Sequence, residues 1–572
     1  MDHLHTRHTR LAIVGMGFRG LSVLEQLLIR LCELDGLDLR IEVFEPRLPG
    51  SGLHSSDQPD YLMLNTIAGQ IQALVQGPDF LQWCQAQALR LDARGHVCSD
   101  EQGRAIGFGD FLPRRLLGQY LEDCWQLLLA RCPAGVTIVV HTEQVIGAKA
   151  EHGTTAFLLE TDQGRCMQVD GLILTTGHGT LAQPEIGNQH RVAIEGLGLS
   201  AMDLLAQLTE GRGGRFVRAQ GQWRYQRSGQ EPQIDLYSRS GLPFHARPQW
   251  QAPTQDRPPA LFFTTAAIEQ LRQQHADRRL DFDADLLPLI EDEMRCAFYR
   301  TQARLDGVDS AALESTLQAA TQPTSRAECF ARLAYTLGPF EPRDWMPTER
   351  WSGDPQHYGE WFRQWISRDL ADSHLGTSGS PLKAALEVWR DCREQLRQAV
   401  DRNGLNEAST LRFFRTWAGL SNRLVGGPQK ERYEDLLALI EAGVVRVLAP
   451  DAREIAMVDC ERVIVARVPH SGLRATDSAL MHDLQAQGLI RAAHPGPADG
   501  IVIDNSGRAS AADGRPQQRL WVLGPAVEGC TFYNHYVATP DPQCAAIREA
   551  RLLTADCLEA LGIGQHLAVA CA

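Results

Sequence analysis

The sequence predicts an α/β fold made of two sheet-containing units with a large helical insertion. Three observations predict it. A glycine-rich turn follows a short apolar run at residues 15–20, and a second turn of this kind occurs at residues 196–201. Residues 256–442 then show helical periodicity, and strand-like runs return at 444–448, 463–466 and 520–523. Strands that alternate with helices in this way are typical of parallel sheets covered by helices.

The first glycine turn has the parts that a pyrophosphate site requires. Gly15, Gly17 and Gly20 follow the apolar run 11–14, and an apolar stripe of helical period begins after them. The first glycine allows the turn, the second allows close approach of phosphate, and the third packs helix against strand. The helix N-terminus at Phe18 offers free N–H groups and partial positive charge. We therefore predict that Gly15, Gly17, Phe18 and Gly20 bind a dinucleotide.

An acidic residue ends the next predicted strand, which spans residues 40–45. Glu45 lies 25 residues beyond Gly20, close to the offset of about 20 residues expected for a carboxylate that accepts ribose hydroxyls. Glu45 is therefore a predicted cofactor-binding residue. The alternative is a glycine-rich turn in some other α/β unit.

The second glycine turn differs from the first at its third position. Gly196 and Gly198 are followed by Ser200 and by Ala201, which stands where the third glycine is expected. An apolar helical pattern follows, as it does after the first turn. These four residues are predicted to form a second dinucleotide site, with Rossmann-like topology in both units.

A hydroxyl and an arginine follow the next strand of the second unit. Ser238 and Arg239 come after the predicted strand 234–237, where the first unit has a carboxylate. A carboxylate would repel a 2′-phosphate, whereas an arginine and a hydroxyl bind it, so this pattern favours NADPH over NADH. The assignment requires that residues 212–233 are an inserted β-hairpin, because the spacing is otherwise too long. The alternative is a solvated arginine after an edge strand.

Composition and charge exclude several classes of protein. The chain has 572 residues, 44% hydrophobic content and a formal net charge of −14, which predicts several domains and argues against nucleic acid as a partner. No apolar run approaches the roughly 20 residues that span a bilayer, and the first residues lack a signal-peptide pattern. We expect a cytoplasmic protein without a membrane partner; a homo-oligomer stays open.

Cysteine and histidine spacing points to neither a redox dithiol nor a metal. The fourteen cysteines contain no C-x-x-C pair, which suits a reducing compartment and argues against a flavin disulfide reductase. Three histidines near the N-terminus are interpreted as part of a polar leader, so no metal site is predicted.

The chain is predicted to be organised in five segments. A first nucleotide domain spans residues 1–185 and resumes at 471–572. A second nucleotide domain spans 186–255 and returns at 443–470, with the helical insertion at 256–442 between its parts. The tryptophans that concentrate in the insertion are interpreted as core rather than as a substrate pocket.

Several short motifs along the chain resemble a known family. They are residues 49–52 (PGSG), 62–66 (LMLNT), 111–115 (FLPRR), 118–120 (GQY), 238–243 (SRSGLP), 380–385 (SPLKAA) and 524–540. In these motifs the chain resembles the bacterial FAD/NAD(P)-binding family, which belongs to the two-dinucleotide-binding flavoproteins of three-layer ββα type. The resemblance implies FAD at the first glycine turn and NADPH at the second.

The segment that closes the first unit is similar to a pattern of N-hydroxylating flavin monooxygenases. Asp170, followed by Leu174, Thr176, Gly177 and His178, matches the pattern, with a threonine at 175 where alanine is usual. The fingerprint of Baeyer–Villiger monooxygenases is absent. The resemblance implies an NADPH-using monooxygenase that N-oxygenates an amine or amino acid, such as aspartate, with O₂ in a specialised-metabolite pathway. A flavin dehydrogenase or reductase without oxygen insertion, and a non-catalytic nucleotide-binding scaffold, are the alternatives.

The resemblance also implies positions near the cofactor. Asn65, Thr66 and Thr531 are the candidates closest to the flavin. Further cofactor-binding positions are Gly177, Gly524, Val145, whose backbone would meet adenine, and Arg114, which would meet FAD phosphates or form a structural salt bridge. No catalytic triad is expected, because the cofactor supplies the chemistry.

Overall fold

The computed structural model describes residues 8–92, 94–98, 103–151, 155–177, 187, 190–250, 258–450, 452–468, 472–474, 476–541 and 544–563. Its strands in chain order are β1 (Thr9–Val14), β2 (Leu39–Phe44), β3 (Arg90–Leu91), β4 (Val97–Cys98), β5 (Arg104–Ala105), β6 (Val136–His141), β7 (Val145–Ala150), β8 (Phe157–Thr161), β9 (Cys166–Val169), β10 (Gly171–Leu174), β11 (Arg191–Glu195), β12 (Arg215–Ala219), β13 (Gln222–Gln226), β14 (Gln233–Tyr237), β15 (Val445–Val447), β16 (Arg462–Val465), β17 (Arg508–Ser510) and β18 (Pro516–Val522). The helices are α1 (Phe18–Leu31), α2 (Phe80–Ala86), α3 (Arg114–Ala130), α4 (Leu199–Leu208), α5 (Thr265–Gln274), α6 (Leu287–Leu305), α7 (Ser310–Ala319), α8 (Pro323–Leu337), α9 (Tyr358–Gly379), α10 (Pro381–Asp391), α11 (Arg393–Val400), α12 (Glu407–Arg412), α13 (Ala418–Val425), α14 (Lys430–Glu441), α15 (Arg453–Asp459), α16 (Ala479–Ala486) and α17 (Ala545–Ala560).

A six-stranded sheet in the order β17-β18-β10-β1-β2-β6 forms the centre of the first unit. All its pairings are parallel except that of β17 with β18. Leu11 and Ile13 of β1 pack with residues of α1, α3 and α17, whereas Ala12 and Val14 pack on the antiparallel sheet β7-β8-β9. Because successive side chains of a strand point to opposite faces, the apolar run 11–14 is buried on both. The predicted three-layer ββα arrangement is therefore confirmed.

A four-stranded parallel sheet in the order β15-β14-β11-β16 forms the centre of the second unit. Its two outer strands come from the part of the chain after the helical insertion, so the sheet is completed by residues far apart in sequence. Strands β12 and β13 pair only with each other, as an antiparallel hairpin between α4 and β14. The predicted hairpin insertion is confirmed.

Helices α5 to α14 form the insertion around a separate aromatic core. Phe282, Trp389 and Phe413 are at most 2% exposed in this core, and Phe282 lies 4.9 Å from Phe413 between ring centroids. Trp345, by contrast, is 36% exposed, so the tryptophans are only partly core. Residues 382–400 have the apolar period of one continuous helix, but the structure divides them: Cys392 has ψ of 19°, which ends α10 and separates it from α11.

The described residues contain neither a membrane-spanning helix nor a metal-ligating cluster. No helix among them is long and apolar enough to cross a membrane. Within the same ranges, no group of three or more histidine, cysteine, aspartate or glutamate side chains has the arrangement of a metal site.

Candidate active site

The first glycine turn joins the carboxyl end of β1 to the N-terminus of α1. Gly15 has φ of 92°, and a Cβ there would lie 2.7 Å from the carbonyl oxygen of Thr175 at the end of the neighbouring strand β10. A side chain at this position is therefore excluded by both backbone conformation and space. Gly17 is the N-cap of α1, and no side chain caps this helix. The first-turn N–H groups of α1 therefore have no capping side-chain acceptor.

The other two glycines of the turn are positions of close approach. A Cβ on Gly20 would lie 2.5 Å from the carbonyl oxygen of Gly15, so this glycine lets α1 pack directly against the turn. A Cβ on Gly17 would lie 3.3 Å from Cα of Gly52, in the following loop. The turn and the loop of residues 49–52 thus pack backbone against backbone, which explains why both are rich in glycine.

The carboxylate of Glu45 is buried beside the first glycine turn. It accepts hydrogen bonds from the backbone N–H of Met16 at 2.9 Å and from that of Arg47 at 3.2 Å, and the residue is 5% exposed. Each carboxylate oxygen can accept more than one hydrogen bond. Glu45 therefore orders the turn and keeps acceptor capacity; contact with a ribose stays a prediction.

The carboxyl ends of the other parallel strands meet at the same edge of the sheet. The Thr175 hydroxyl after β10 donates to the carbonyl oxygen of Gly15 at 2.5 Å, and Gly177 follows with φ of 69°. Gly524 follows β18 with φ of 91°, and a Cβ on this residue would lie 3.5 Å from Cγ of Arg19. Val145 begins β7 just after β6. Ligands of open parallel sheets bind at this edge. His178, which was part of the predicted motif, lies outside the described residues.

The predicted flavin-proximal residues differ in their environments. Asn65 and Thr66 are half-buried in the loop after residue 64, whose backbone N–H donates to the carbonyl oxygen of Leu112. Thr531 is 3% exposed, and its hydroxyl is hydrogen-bonded to the side-chain amide of Asn534 at 3.0 Å. Asn65 and Thr66 are thus partly exposed, whereas the buried Thr531 hydroxyl already has a partner in the protein.

An ion pair joins the first unit to the second. Arg114 is the first residue of α3, and its Nη1 lies 2.8 Å from Oδ2 of Asp203 on α4. Its Nε also donates to the carbonyl oxygen of Met63 at 3.1 Å. Burial and the charge of Arg114 lower the pKa of the nearby His54 to about 3, so that imidazole is neutral at physiological pH. Of the two roles considered for Arg114, the structural salt bridge is present; phosphate contact stays a prediction.

The second glycine turn joins β11 to α4 in the same way. Gly196 has φ of 147°, and a Cβ there would lie 2.5 Å from the carbonyl oxygen of Ala466 after β16. A Cβ on Gly198 would lie 3.2 Å from the ring of Phe244, and no side chain caps the N-terminus of α4. Ala201 is fully buried, while Ser200 is half-buried. The turn is therefore of the kind that binds pyrophosphate.

Ser238 and Arg239 lie beside this second turn. The hairpin β12–β13 returns the chain to β14, which pairs in parallel with β11, so both residues follow a strand adjacent to the glycine turn. The Ser238 hydroxyl accepts a hydrogen bond from the N–H of Gly241 at 3.0 Å. Arg239 is exposed and forms no ion pair with any residue that the structure describes. Its guanidinium is therefore available to an anion, although contact with a phosphate stays a prediction.

The residues at both turns fit nucleotide cofactors. Each turn presents a helix N-terminus without a side-chain cap and a glycine whose missing Cβ leaves room for close approach. Beside the first turn, Nη1 of the buried Arg19 lies 3.3 Å from Oε2 of Glu549, but none of the three guanidinium nitrogens has a hydrogen bond to any described residue. Buried unpaired donors are rare in folded proteins and commonly indicate an absent ligand or water.

Sequence reasoning missed a buried charge network behind the second unit. Asp369 of α9 accepts from Lys383 Nζ at 2.7 Å, from Nδ1 of His245 at 2.5 Å and from the N–H of Ala246 at 2.7 Å. Burial raises the pKa of Asp369, but Lys383 and His245 outweigh it and hold that pKa at about 2. Lys383 of this network lies within the motif at residues 380–385. Only the motif itself was visible in the sequence, because the three residues meet through folding.

Residues 12–179 match the sequence model of the FAD-NAD(P)-binding family. This part of the chain is similar to that family. The match covers the first glycine turn, Glu45 and the strand that precedes Gly177. The predicted family resemblance is therefore confirmed, and with it the use of FAD and a nicotinamide dinucleotide as the cofactor class.

Curated relatives extend the similarity over nearly the whole chain. The L-aspartate N-monooxygenase (nitrosuccinate-forming) of Streptomyces davaonensis is 28% identical over 610 residues, which cover 91% of this chain and 93% of the relative. The nitrosuccinic acid synthase of Aspergillus oryzae is 28% identical over 613 residues, which cover 94% and 90%. Among solved structures, ornithine hydroxylase from Pseudomonas aeruginosa covers 97% of this chain and 99% of its own at 9% identity, with a TM-score of 0.44.

Proposed function

We propose that this protein is an FAD-dependent, NADPH-using monooxygenase that N-oxygenates L-aspartate or a closely similar amino dicarboxylic acid. The observation that carries the proposal is the similarity to an L-aspartate N-monooxygenase over 91% of this chain and 93% of that relative. Because the match covers 91% of this chain, it must include most of the helical insertion, so it concerns more than the cofactor domains.

The presence of one predicted cofactor site in each of the two units supports the same conclusion. The first-turn amides of α1 and the carboxylate of Glu45 would hold FAD, and those of α4 would hold NADPH. Bound flavin supplies the chemistry of hydride acceptance and oxygen activation, and the protein supplies orientation and exclusion of water. The chain accordingly holds its two turns at the carboxyl ends of two separate parallel sheets, with Arg114 and Asp203 paired between α3 and α4.

Steady-state turnover with defined amines tests the proposal. The purified protein is expected to be yellow and to consume O₂ and NADPH when L-aspartate is added, with nitrosuccinate or its hydroxylamine precursor as product by mass spectrometry. L-Ornithine and L-lysine serve as matched amino acids with a cationic side chain and should not stimulate oxygen consumption. Anaerobic turnover with an artificial acceptor and no response to oxygen would instead indicate a dehydrogenase. A colourless protein that does not take up FAD would indicate a non-catalytic scaffold.

The preference for NADPH is expected to depend on Arg239. Arg239→Ala should raise KM for NADPH by about 10- to 70-fold, because a charge-assisted phosphate contact contributes about 1.5–2.5 kcal/mol, and should leave KM for NADH nearly unchanged. The measurement is the KM for each nucleotide in NAD(P)H oxidation. Arg453→Ala is the matched control, since this arginine is also exposed near the turn but is paired with Glu195 at 3.5 Å. Equal losses for the two nucleotides would contradict the 2′-phosphate role.

A further inference from the structure

The second glycine turn lies at a point where the helices change from one face of the sheet to the other. Strand β11 pairs with β14 on one side and with β16 on the other. Val192 and Ile194 of β11 pack in the core that contains α4. Ala193 between them packs instead with Ala456 of α15, so α4 and α15 cover opposite faces of the sheet. The carboxyl ends of β11 and β16 therefore border the crevice in which open α/β sheets bind their ligands.

Arg467 follows β16 at the edge of this crevice. The carbonyl oxygen of Ala466, the preceding residue, lies 2.5 Å from an ideal Cβ of Gly196. In the first unit the corresponding carbonyl oxygen is that of Thr175, which lies 2.7 Å from an ideal Cβ in the first glycine turn. Arg467 therefore corresponds in position to Thr176 of the first unit. The second turn has a cationic side chain at this position, where the first turn has a hydroxyl.

A buried carboxylate holds one side of the Arg467 guanidinium. Glu195 is the last residue of β11 and is 3% exposed, whereas the corresponding residue of the first unit is the apolar Val14. Nη2 of Arg467 donates to Oε1 of Glu195. Nε and Nη1 of Arg467 have no hydrogen bond to any residue in the described ranges, and the side chain is 46% exposed. Glu195 thus orients Arg467, which keeps donors for a ligand.

Glu195 has a compensating charge without Arg467. Its Oε2 lies 3.5 Å from Nη1 of Arg453 and accepts from the Tyr237 hydroxyl at 3.4 Å. Burial and the negative charge of Glu195 raise the pKa of Tyr237 to about 12, so this hydroxyl keeps its proton. A buried carboxylate requires one compensating charge, and Arg453 supplies it. Arg467 is therefore a second positive charge against one carboxylate, and it lies beside the second glycine turn.

The position and chemistry of Arg467 suit a pyrophosphate group. The uncapped N-terminus of α4 and the residues after β16 lie on two sides of the turn that begins at Gly196. A guanidinium group binds phosphate oxygens through paired, charge-assisted hydrogen bonds. Arg239 follows β14, on the other side of β11. Because neighbouring strands are about 4.8 Å apart, β14 and β16 are separated by about 10 Å, so the two arginines suit two different phosphate groups.

We infer that Arg467 binds the pyrophosphate of the nicotinamide dinucleotide from the β16 side of the second glycine turn, and that Glu195 positions it. The 2′-phosphate of NADPH is then left to Arg239 on the β14 side. The inference rests on the proposed function for the place of the nicotinamide dinucleotide at the second turn, and not for the substrate that is oxygenated. Since NADPH and NADH share the pyrophosphate, Arg467 contributes to the binding of both.

Two ligand fragments separate the two phosphate contacts. ADP-ribose contains the pyrophosphate and no 2′-phosphate, whereas adenosine 2′-monophosphate contains the 2′-phosphate and no pyrophosphate. Each is titrated calorimetrically into the FAD-containing protein. Arg467→Gln should raise Kd for ADP-ribose by about 10- to 100-fold, because a charge-assisted phosphate contact is lost, and should leave Kd for adenosine 2′-monophosphate unchanged. Arg239→Ala should give the opposite pattern.

Three further variants separate ligand binding from a structural role of Arg467. Arg467→Lys keeps the charge and loses the paired donors, so its Kd for ADP-ribose should lie between those of wild type and Arg467→Gln. Arg218→Gln removes an exposed arginine from the hairpin that precedes β14, at the opposite edge of the sheet, and should leave both constants unchanged. Glu195→Gln removes the carboxylate charge but keeps an acceptor. Arg467→Gln should weaken ADP-ribose binding by the same factor in this background, because the lost contact is with the ligand.

The flavin content and the choice of ligands make the outcomes distinct. Retention of FAD, read from the flavin absorbance, shows that a variant is folded. Unchanged ADP-ribose binding in flavin-containing Arg467→Gln would overturn the inference. An effect of Arg467→Gln that disappears in the Glu195→Gln background would also overturn it, since Arg467 would then act only on Glu195. ADP-ribose binding that requires Arg467, in a protein that does not oxidise L-aspartate, would support the site and contradict the proposed function.

Discussion

Gly17→Val is expected to give a folded protein that is purified without FAD. The valine side chain would begin 3.3 Å from Cα of Gly52 and would occupy the space in front of the first-turn amides of α1. Overpacking of this kind costs about 1–3 kcal/mol, and the loss of phosphate contact adds to it, so FAD binding should weaken at least roughly a hundredfold. The measurement is the flavin-to-protein absorbance ratio, followed by titration of the apoprotein with FAD.

Two matched glycine variants make this result specific. Gly419→Ala adds a methyl group in α13, where an ideal Cβ meets no atom within 4 Å, and should keep full flavin content. Gly198→Val alters the second turn, where the ring of Phe244 lies 3.2 Å from the added carbon, and should raise KM for NADPH while FAD is retained. Loss of flavin in a folded Gly198→Val protein would contradict the assignment of the two turns to different cofactors.

Asp369→Asn is expected to cause the largest loss of stability. The variant removes the charge that compensates Lys383 and orders His245, both of which are buried. Breaking a buried ion pair from one side typically costs about 3–5 kcal/mol, because the remaining charge is left uncompensated. The measurement is the free energy of unfolding in urea, with tryptophan fluorescence as the signal. Trp365 contributes to this signal, and its ring lies 4.8 Å from that of His245.

A double variant and the pH dependence check the cause of this loss. Lys383→Met combined with Asp369→Asn should recover part of the stability, since the uncompensated charge is then absent. Glu360→Gln, at an exposed position of α9, should have little effect. Because the pKa of Asp369 is held at about 2, below its usual value, its contribution is full above pH 3.8 and is lost as the pH falls towards 2. A loss of stability that is unchanged by Lys383→Met would contradict the charge explanation.

The features that the sequence predicted are those whose signals are local. Each glycine turn lies within about ten residues of the strand and helix that it joins, so periodicity and glycine spacing suffice to identify it. The inserted hairpin was predicted for the same reason, since its two strands are consecutive and are joined by a glycine-containing turn at Gly221. The names of the curated relatives agree with the N-oxygenating activity that the short pattern around Gly177 suggested.

The features that were missed arise from residues that meet only in the fold. His245, Asp369 and Lys383 stand in three different segments, and no spacing relates them. The same holds for Arg393 and Tyr533, since the guanidinium carbon of Arg393 lies 3.6 Å from the centroid of the Tyr533 ring. The break at Cys392 was missed because the apolar period of α10 continues into α11 and conceals it. Long-range charge pairing and small changes in backbone angle leave no periodic signal in a single sequence.

The hairpin β12–β13 adds residues between two paired strands without changing their pairing. A hairpin begins and ends at neighbouring points in space, so it lengthens the chain without displacing the strands on either side. Strands β11 and β14 keep a parallel register from Arg191 with Gln233 to Glu195 with Tyr237, although the hairpin separates them in sequence. The length of the hairpin therefore has no bearing on which residues of β11 and β14 pair. The number of residues between β11 and β14 in the sequence therefore does not determine how close the two strands lie beside the second glycine turn.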